Sequence, residues 1–220
     1  MDLRNVILRR RMVRAYQPGR PVPPDVVDRL LEHAVHAPSA GFSQGWDFLV
    51  LSEADHRERF WDATRADPGV EPDSWLAPMM GAPLLIVCLS NKSAYLDRYA
   101  EADKGRPSRD ERDWPVPYWD VDTGMAALLM LLTAVDEGLG ACFFGVQPDR
   151  HPALRTAFAI PQDRTPVGVV SVGFRAQDRP SPSLRRGRRG PGQVAHVGRF
   201  GTPYLSAGAP CAPTGQPPQG

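Results

Sequence analysis

The sequence predicts an α+β domain built on one dominant sheet, and three observations lead there. Two continuous apolar runs of strand length, Leu84 to Ser90 and Pro166 to Phe174, read as strands buried on both faces. Two longer segments, one opening at Pro24 and one near Asp120, carry apolar residues at helical spacing or on nearly every face. The length, 220 residues without an internal repeat, suits a single domain with a sizeable core.

The elements follow in order. Residues 2–11 read as a short helix, and the prolines of Tyr16 to Asp25 make a loop. Pro24 then opens a helix whose apolar positions Val27, Leu30, Leu31, Ala34 and Val35 recur at three and four; it ends before Pro38, which disfavours helix in the residue ahead of it. Ser39-Ala40-Gly41 is a tight loop, and Trp46, Phe48 and Val50 alternate as a strand. A helix is expected over 54–65, loop-rich chain over 68–83, and the central strand over 84–90. Asn91 to Pro117 is charged and proline-broken, with Trp114, Tyr118 and Trp119 around its end. A long structureless segment of this kind either covers a ligand or is pinned back by its own aromatics. Asp120 or Asp122 is expected to cap the next helix, greasy on nearly every face until Asp136 and stopped by Gly138 and Gly140. Residues 141–146 form a strand, 152–159 a short helix and 166–174 a buried strand. The domain is expected to span 1–200, with 201–220 a disordered Pro/Gly-rich tail.

Composition excludes several classes. The richest apolar run, Met125 to Val135, is too short for a membrane span, and the start lacks an apolar signal core. Cys88, Cys142 and Cys211 form neither a disulfide framework nor a metal spacing, which suits a reducing, cytoplasmic setting. Net charge is +1, yet no acidic residue follows Asp178, while Arg179, Arg185, Arg186, Arg188, Arg189 and Arg199 do. A second arginine cluster, Arg4, Arg9, Arg10, Arg11 and Arg14, opens the chain. Such patches serve as solvated surface, as forks for a small phosphate-bearing ligand, or for nucleic acid. The acidic middle of the chain disfavours the last of these.

Conventional catalytic signatures are missing. There is no GxGxxG after a first strand, no GxxxxGK[ST] and no GxSxG. His33 and His36 suit surface or capping roles; His56, His151 and His196 are scattered, so no metal site is expected. Asp110-Glu111 and Asp120 with Asp122 are candidate carboxylate pairs, read as a solvated loop and a helix cap. The remaining parts are arginines at both ends, a Ser-Ala-Gly loop, a glycine-flanked strand after a buried helix, and nearby aromatics. They suit a cofactor with a phosphate and a flat ring, which would itself carry the chemistry.

Three motifs extend this reading. Residues 8–14 run Leu-Arg-Arg-Arg-Met-Val-Arg, residues 37–46 run Ala-Pro-Ser-Ala-Gly-Phe-Ser-Gln-Gly-Trp, and Gly124 to Gly145 join a central helix to a Gly-Leu-Gly strand entry. With the basic closure at 184–200, this order resembles the flavin-dependent nitroreductase superfamily over residues 4–200. The resemblance implies an FMN-binding α+β fold with a mostly antiparallel central sheet flanked by helices, assembled as a homodimer with sites at the subunit interface. It places Arg10, Arg11 and Met12 at the FMN phosphate, and Arg14 near the ribityl chain and pyrimidine edge. Pro38, Ser39, Ala40, Phe42 and Gln44 fall in the loop that the partner subunit lends to the flavin. Cys142, Phe143, Phe144 and Gly145 pass beside the ring, while Arg188 and Arg189 close on the phosphate. Phe42, Trp114, Tyr118 and Trp119 are expected walls of the substrate pocket, with no catalytic side chain.

The implied activity is hydride transfer from NAD(P)H through flavin N5 to a nitroaromatic, quinone or similar small acceptor. Met12 stands where the family has serine, Phe42 where it has asparagine and Gly45 where it has proline. The 37–48 loop is similar to that of the 5,6-dimethylbenzimidazole synthase subgroup, whose pattern has aspartate at the place of Met12 and serine at that of Gly145. A flavin-fragmenting enzyme and a non-catalytic flavin-binding protein are the alternatives. Neither nucleic acid nor membrane is an expected partner.

Overall fold

In the computed structural model, which describes residues 1–65, 69–104, 108–178 and 181–204, the chain divides at Asp178 into two units. The first unit begins with α1 (Leu3–Arg9), which starts where the Asp2 carboxylate accepts the Asn5 amide, a standard N-cap. Helix α2 (Pro24–Val35) has its proline in the first turn, where no intrahelical donor is needed, and buries Val26, Leu30 and Ala34 on one face. Strand β1 (Trp46–Leu51) and helix α3 (Ala54–Thr64) follow as expected. Helix α4 (Leu76–Met80) interrupts the stretch expected to be loop-rich, and buries Met79. Next come β2 (Leu84–Asn91), α5 (Lys92–Ala100), α6 (Tyr118–Asp136), β3 (Gly140–Phe144), α7 (His151–Phe158) and β4 (Arg164–Gly173).

The four strands form one antiparallel sheet in the order β1-β2-β4-β3. Strand β2 is interior, and its apolar run divides by parity, as successive side chains in a strand point to opposite faces. Leu84, Ile86 and Cys88 join Leu30, Ala34, Ala126 and Met130 in one cluster; Leu85, Val87 and Leu89 join Phe60, Trp61 and Leu154 in another. A continuous hydrophobic stretch is therefore what a strand covered on both sides requires.

Asn91 to Pro117 is not structureless at its start: Asn91 caps α5 by accepting the Ala94 amide, and Tyr95 is buried. The prolines expected to break this segment lie C-terminal to that helix; Pro107 is outside the described residues. Neither Asp120 nor Asp122 caps α6. The helix starts at Tyr118, directly after Pro117, so Asp120 falls in the first turn and Asp122 inside the helix. At the other end Gly138 adopts φ 73°, while the Gly138 and Leu139 amides donate to the carbonyls of Val135 and Ala134. This left-handed closure is the reason for glycine there.

Helix α6 is long and apolar enough to cross a membrane by length and composition, yet more than half of that stretch is buried inside the protein. Its buried residues include Ala126, Ala127, Met130 and Ala134, packed with those of α2 and the sheet. The second unit contains α8 (Pro191–Val194) and a bridge between His196 and Pro203. Most of the expected tail, residues 205–220, lies outside the described residues.

Candidate functional site

The residues singled out in the sequence form two groups within the first unit. In the first group the opening arginine segment lies along β3. Met12 makes a parallel bridge with Ala141, the Val13 amide donates to the Ala141 carbonyl at 2.9 Å, and the Phe143 amide points to Met12 Sδ at 3.5 Å. Val13 and Ala15 are buried, whereas Arg10, Met12 and Arg14, on the alternate positions, are half-buried. The Arg14 amide donates to Asp178 at 2.9 Å, which ties the segment to the end of the unit. Arg10 Nη1 and Arg14 Nε are buried atoms with no hydrogen-bond partner. An unsatisfied buried N–H of this kind costs about 1–3 kcal/mol, so these two donors have capacity for an anion. Arg11 is exposed.

Parity divides β3 as it divides β2. Phe143 packs with the α2 and α6 cluster; Phe144 packs on the opposite face, stacked on Trp61 at 5.8 Å between ring centroids and edge-on to Phe60 and Trp75. Gly145 is exposed just beyond the strand. Burial raises the pKa of the Cys142 thiol against the lowering influence of Arg14, and burial pushes that of Cys88 up to about 12. Both are free, protonated thiols near neutral pH, so neither is an activated nucleophile.

The second group is the arch after α2. Pro38 is exposed, and Ala40–Phe42 form a single 3-10 turn. Gly41, Phe42 and Gln44 adopt φ of 63°, 56° and 49°, a left-handed conformation that is costly for the last two. Local bonds hold it: the Gln44 amide donates to Ser39 Oγ at 3.0 Å, and the Ser43 hydroxyl to the Ala40 carbonyl at 2.7 Å. Phe42 is 76% exposed and projects from the arch.

The aromatic segment meets this arch. Trp114 lies 4.6 Å from the Tyr99 ring and 6.0, 6.1 and 5.8 Å from Tyr95, Tyr118 and Trp119, all edge-on or tilted. Tyr99, Trp114 and Tyr118 line a cavity of about 250 Å³ with Ala40, Ser108, Asp113 and Pro115. Trp119 is buried behind these rings, against Tyr95. Asp110 and Glu111 are engaged on the surface by Arg112 and Lys92.

Two residues that carry this geometry were not assigned to the site from sequence. Tyr95 carries no sequence signal of a site role, and Asp122, expected as a cap, lies inside α6 instead. A carboxylate in an otherwise apolar helix was the available signal. Of the remaining residues, His36 is the C-cap of α2, and His33 Nδ1 is 2.8 Å from Thr133 Oγ1. No group of His, Cys, Asp and Glu among the described residues could hold a metal ion. Arg188 and Arg189 belong to the second unit, where both are exposed and Arg189 donates to the Gln193 carbonyl at 2.7 Å.

The model of the nitroreductase family matches residues 7–174. A protein of Methanothermobacter thermautotrophicus named "Putative NADH dehydrogenase/NAD(P)H nitroreductase" is 30% identical over 180 residues, covering 81% of this chain and 80% of its own. A nitroreductase family protein of Clostridium difficile 630 has a similar fold, with a TM-score of 0.65 at 20% identity, covering 91% of this chain and 100% of the other. An FMN-dependent nitroreductase of Clostridium difficile R20291 superposes with a TM-score of 0.63 at 19% identity, over 90% and 100% of the two chains.

Proposed function

The chain belongs to the nitroreductase family, and from that premise we propose that it is an FMN-dependent oxidoreductase using NAD(P)H to reduce a small acceptor such as a nitroaromatic or quinone. The observation that carries this reading is the pair of buried, unpartnered guanidinium nitrogens of Arg10 and Arg14 beside β3. They are donors left free for an anionic cofactor, Arg10 for its phosphate and Arg14 for its ribityl chain or pyrimidine edge, and Arg is the side chain best shaped for a phosphate. The names of the archaeal relative and of the FMN-dependent structural neighbour support the same cofactor and electron donor.

When bound, the flavin supplies hydride acceptance and delivery at N5, and the chain's own residues bind, orient and exclude water. Arg10 holds the phosphate end, and Arg14 serves the ribityl chain and pyrimidine edge. Met12 replaces the family's serine, and its sulfur is occupied with the Phe143 amide, so Arg10 carries the phosphate without a hydroxyl. The exit of β3, Cys142 to Gly145, borders the ring. The arch from Pro38 to Gln44 is the part offered to the partner subunit's flavin, and the cavity beside Ala40 receives the acceptor between Tyr99, Trp114 and Tyr118. The homodimer is supported by an apolar stripe on α6: Val121, Met125 and Leu128 are 38%, 40% and 46% exposed at helical spacing.

The test is an anaerobic screen of purified protein against NADH and NADPH, then against nitroaromatics and quinones, with mass analysis of the flavin afterwards. Bleaching of the visible flavin band by either nicotinamide, and its return with an acceptor, is expected, with the flavin recovered intact. A yellow protein that neither nicotinamide bleaches would overturn the reading. Recovery of flavin fragments would assign the chain to the flavin-consuming subgroup.

A further inference from the structure

Asp122 is the buried carboxylate of the described core: it is 3% exposed inside α6 and, among the described residues, has no ion-pair partner. Burying a carboxylate without a cation is unfavourable unless hydrogen bonds compensate. One oxygen, Oδ2, accepts from the Ala40 amide at 2.8 Å and from the Tyr95 hydroxyl at 2.9 Å. Burial, and then the neighbouring carboxylate, push the Tyr95 hydroxyl well above the ordinary tyrosine range, so it remains a donor.

The arch is gripped from below as well. Tyr95, Arg98 and Tyr99 occupy positions i, i+3 and i+4 of α5 and therefore share one face. Arg98 Nε donates to the Gly41 carbonyl at 3.1 Å, while Asp103 and Glu101 hold its remaining nitrogens. The Tyr99 ring lies where a side chain at Gly41 would begin, with 2.6 Å to the nearest ring carbon. The Asn91 amide donates to the Gly45 carbonyl at 2.9 Å. Local bonds within the arch do not account for a buried charge beneath it; tertiary anchoring of a left-handed turn does.

We propose that Asp122, together with Tyr95, is a positioning residue for the flavin site: the buried carboxylate holds the Ala40 amide and fixes the Ser39–Gln44 arch in the conformation that faces the cofactor. This deepens the proposed function and rests on it. Neither residue touches the flavin; each acts through the backbone of the arch.

The experiment uses the full chain loaded with FMN and compares D122A, D122N, Y95F and T133V. Readouts are the FMN Kd, the visible circular dichroism of the bound flavin, and the melting temperature without FMN. T133V removes a different buried hydroxyl from α6, one bonded to the Leu129 carbonyl and His33 rather than to the arch. D122A is expected to raise the Kd about ten-fold or more and to change the flavin dichroism; Y95F should do the same more mildly, by about three-fold. D122N keeps an acceptor oxygen and should stay within about three-fold of the wild type. T133V should lower the melting temperature while leaving Kd and dichroism unchanged. Wild-type Kd and dichroism in D122A overturn the proposal, as does an equal loss in T133V. Should D122A fail to fold, wild-type behaviour of Y95F overturns it. Wild-type protein that takes up no FMN removes the proposed function as well, a result distinct from normal uptake with unaffected variants.

Discussion

Arg10 and Arg14 show how a single side chain reports on a ligand. Each has a buried nitrogen that the protein's own acceptors leave unused, so truncation removes little from the fold. Each charge-assisted bond to a phosphate is worth about 1.5–3 kcal/mol, or about ten- to a hundred-fold in affinity. R10A and R14A are accordingly expected to weaken FMN binding by that factor in a fluorescence titration, with the melting temperature of FMN-free protein not lowered, since each removes an unsatisfied buried donor. Unaltered affinity in both variants would place the cofactor elsewhere. R10K tests geometry, since lysine keeps the charge and loses the fork; partial recovery is expected. These arginines were legible because a cluster of one residue type stands out in any sequence. Asp122 was not, because its meaning lies in Ala40 and Tyr95, and no spacing rule connects those positions.

Helix α6 serves two environments at the scale of the element. One face, including Ala126, Met130 and Ala134, packs against α2 and the sheet, while Val121, Met125 and Leu128 stay exposed. A charge on the exposed stripe should leave the chain's own packing intact and disfavour burial of that stripe against another copy. M125E and L128E are therefore expected to shift the proposed dimer to monomer in sedimentation velocity, with far-ultraviolet dichroism unchanged and bound FMN lost. A dimer that persists in the double variant would move the interface to another surface. Most elements are legible from apolar periodicity; the strands obey it, while in α2 Leu30 and Ala34 are buried as expected, Val27 and Leu31 are partly buried, Val35 is exposed and Val26 takes a core place instead. Helix α5 is masked in the sequence by the charges and later prolines of its segment, although Lys92–Ala100 is held by an Asn cap and the buried Tyr95. Helix α4, five residues long, has too few turns to show a period.

For the whole molecule, protons on buried acids link stability to alkaline pH. Burial raises the pKa of the Cys88 thiol from 9.0 to about 12, and raises those of the Cys142 thiol and of the Tyr16 and Tyr95 hydroxyls above their ordinary values. In each case the folded chain holds the proton more tightly than the unfolded chain does. Their stabilising contribution is thus complete below the unfolded pKa and is lost as pH rises past it towards the folded value. Below about pH 8 these four groups give no slope. Above the ordinary thiol value of 9.0 the cysteines begin to subtract stability, and above the ordinary tyrosine value of 10.0 the tyrosines add to the decline. Each fully titrating group contributes about 1.4 kcal/mol per pH unit. Guanidinium unfolding between pH 7 and 11 should show a free energy that falls in two stages, steeper in the second. C88A will have lower stability at pH 7 because it opens a cavity, yet its slope between pH 9 and 10 should be shallower than that of the wild type by about one proton. Y16F gives up the bonds to the Val13 carbonyl and Ser171 Oγ, and should flatten only the stage above pH 10. A profile level to pH 11, or an unchanged slope in C88A, would mean that these groups titrate in the folded chain as they do in water, which their burial argues against.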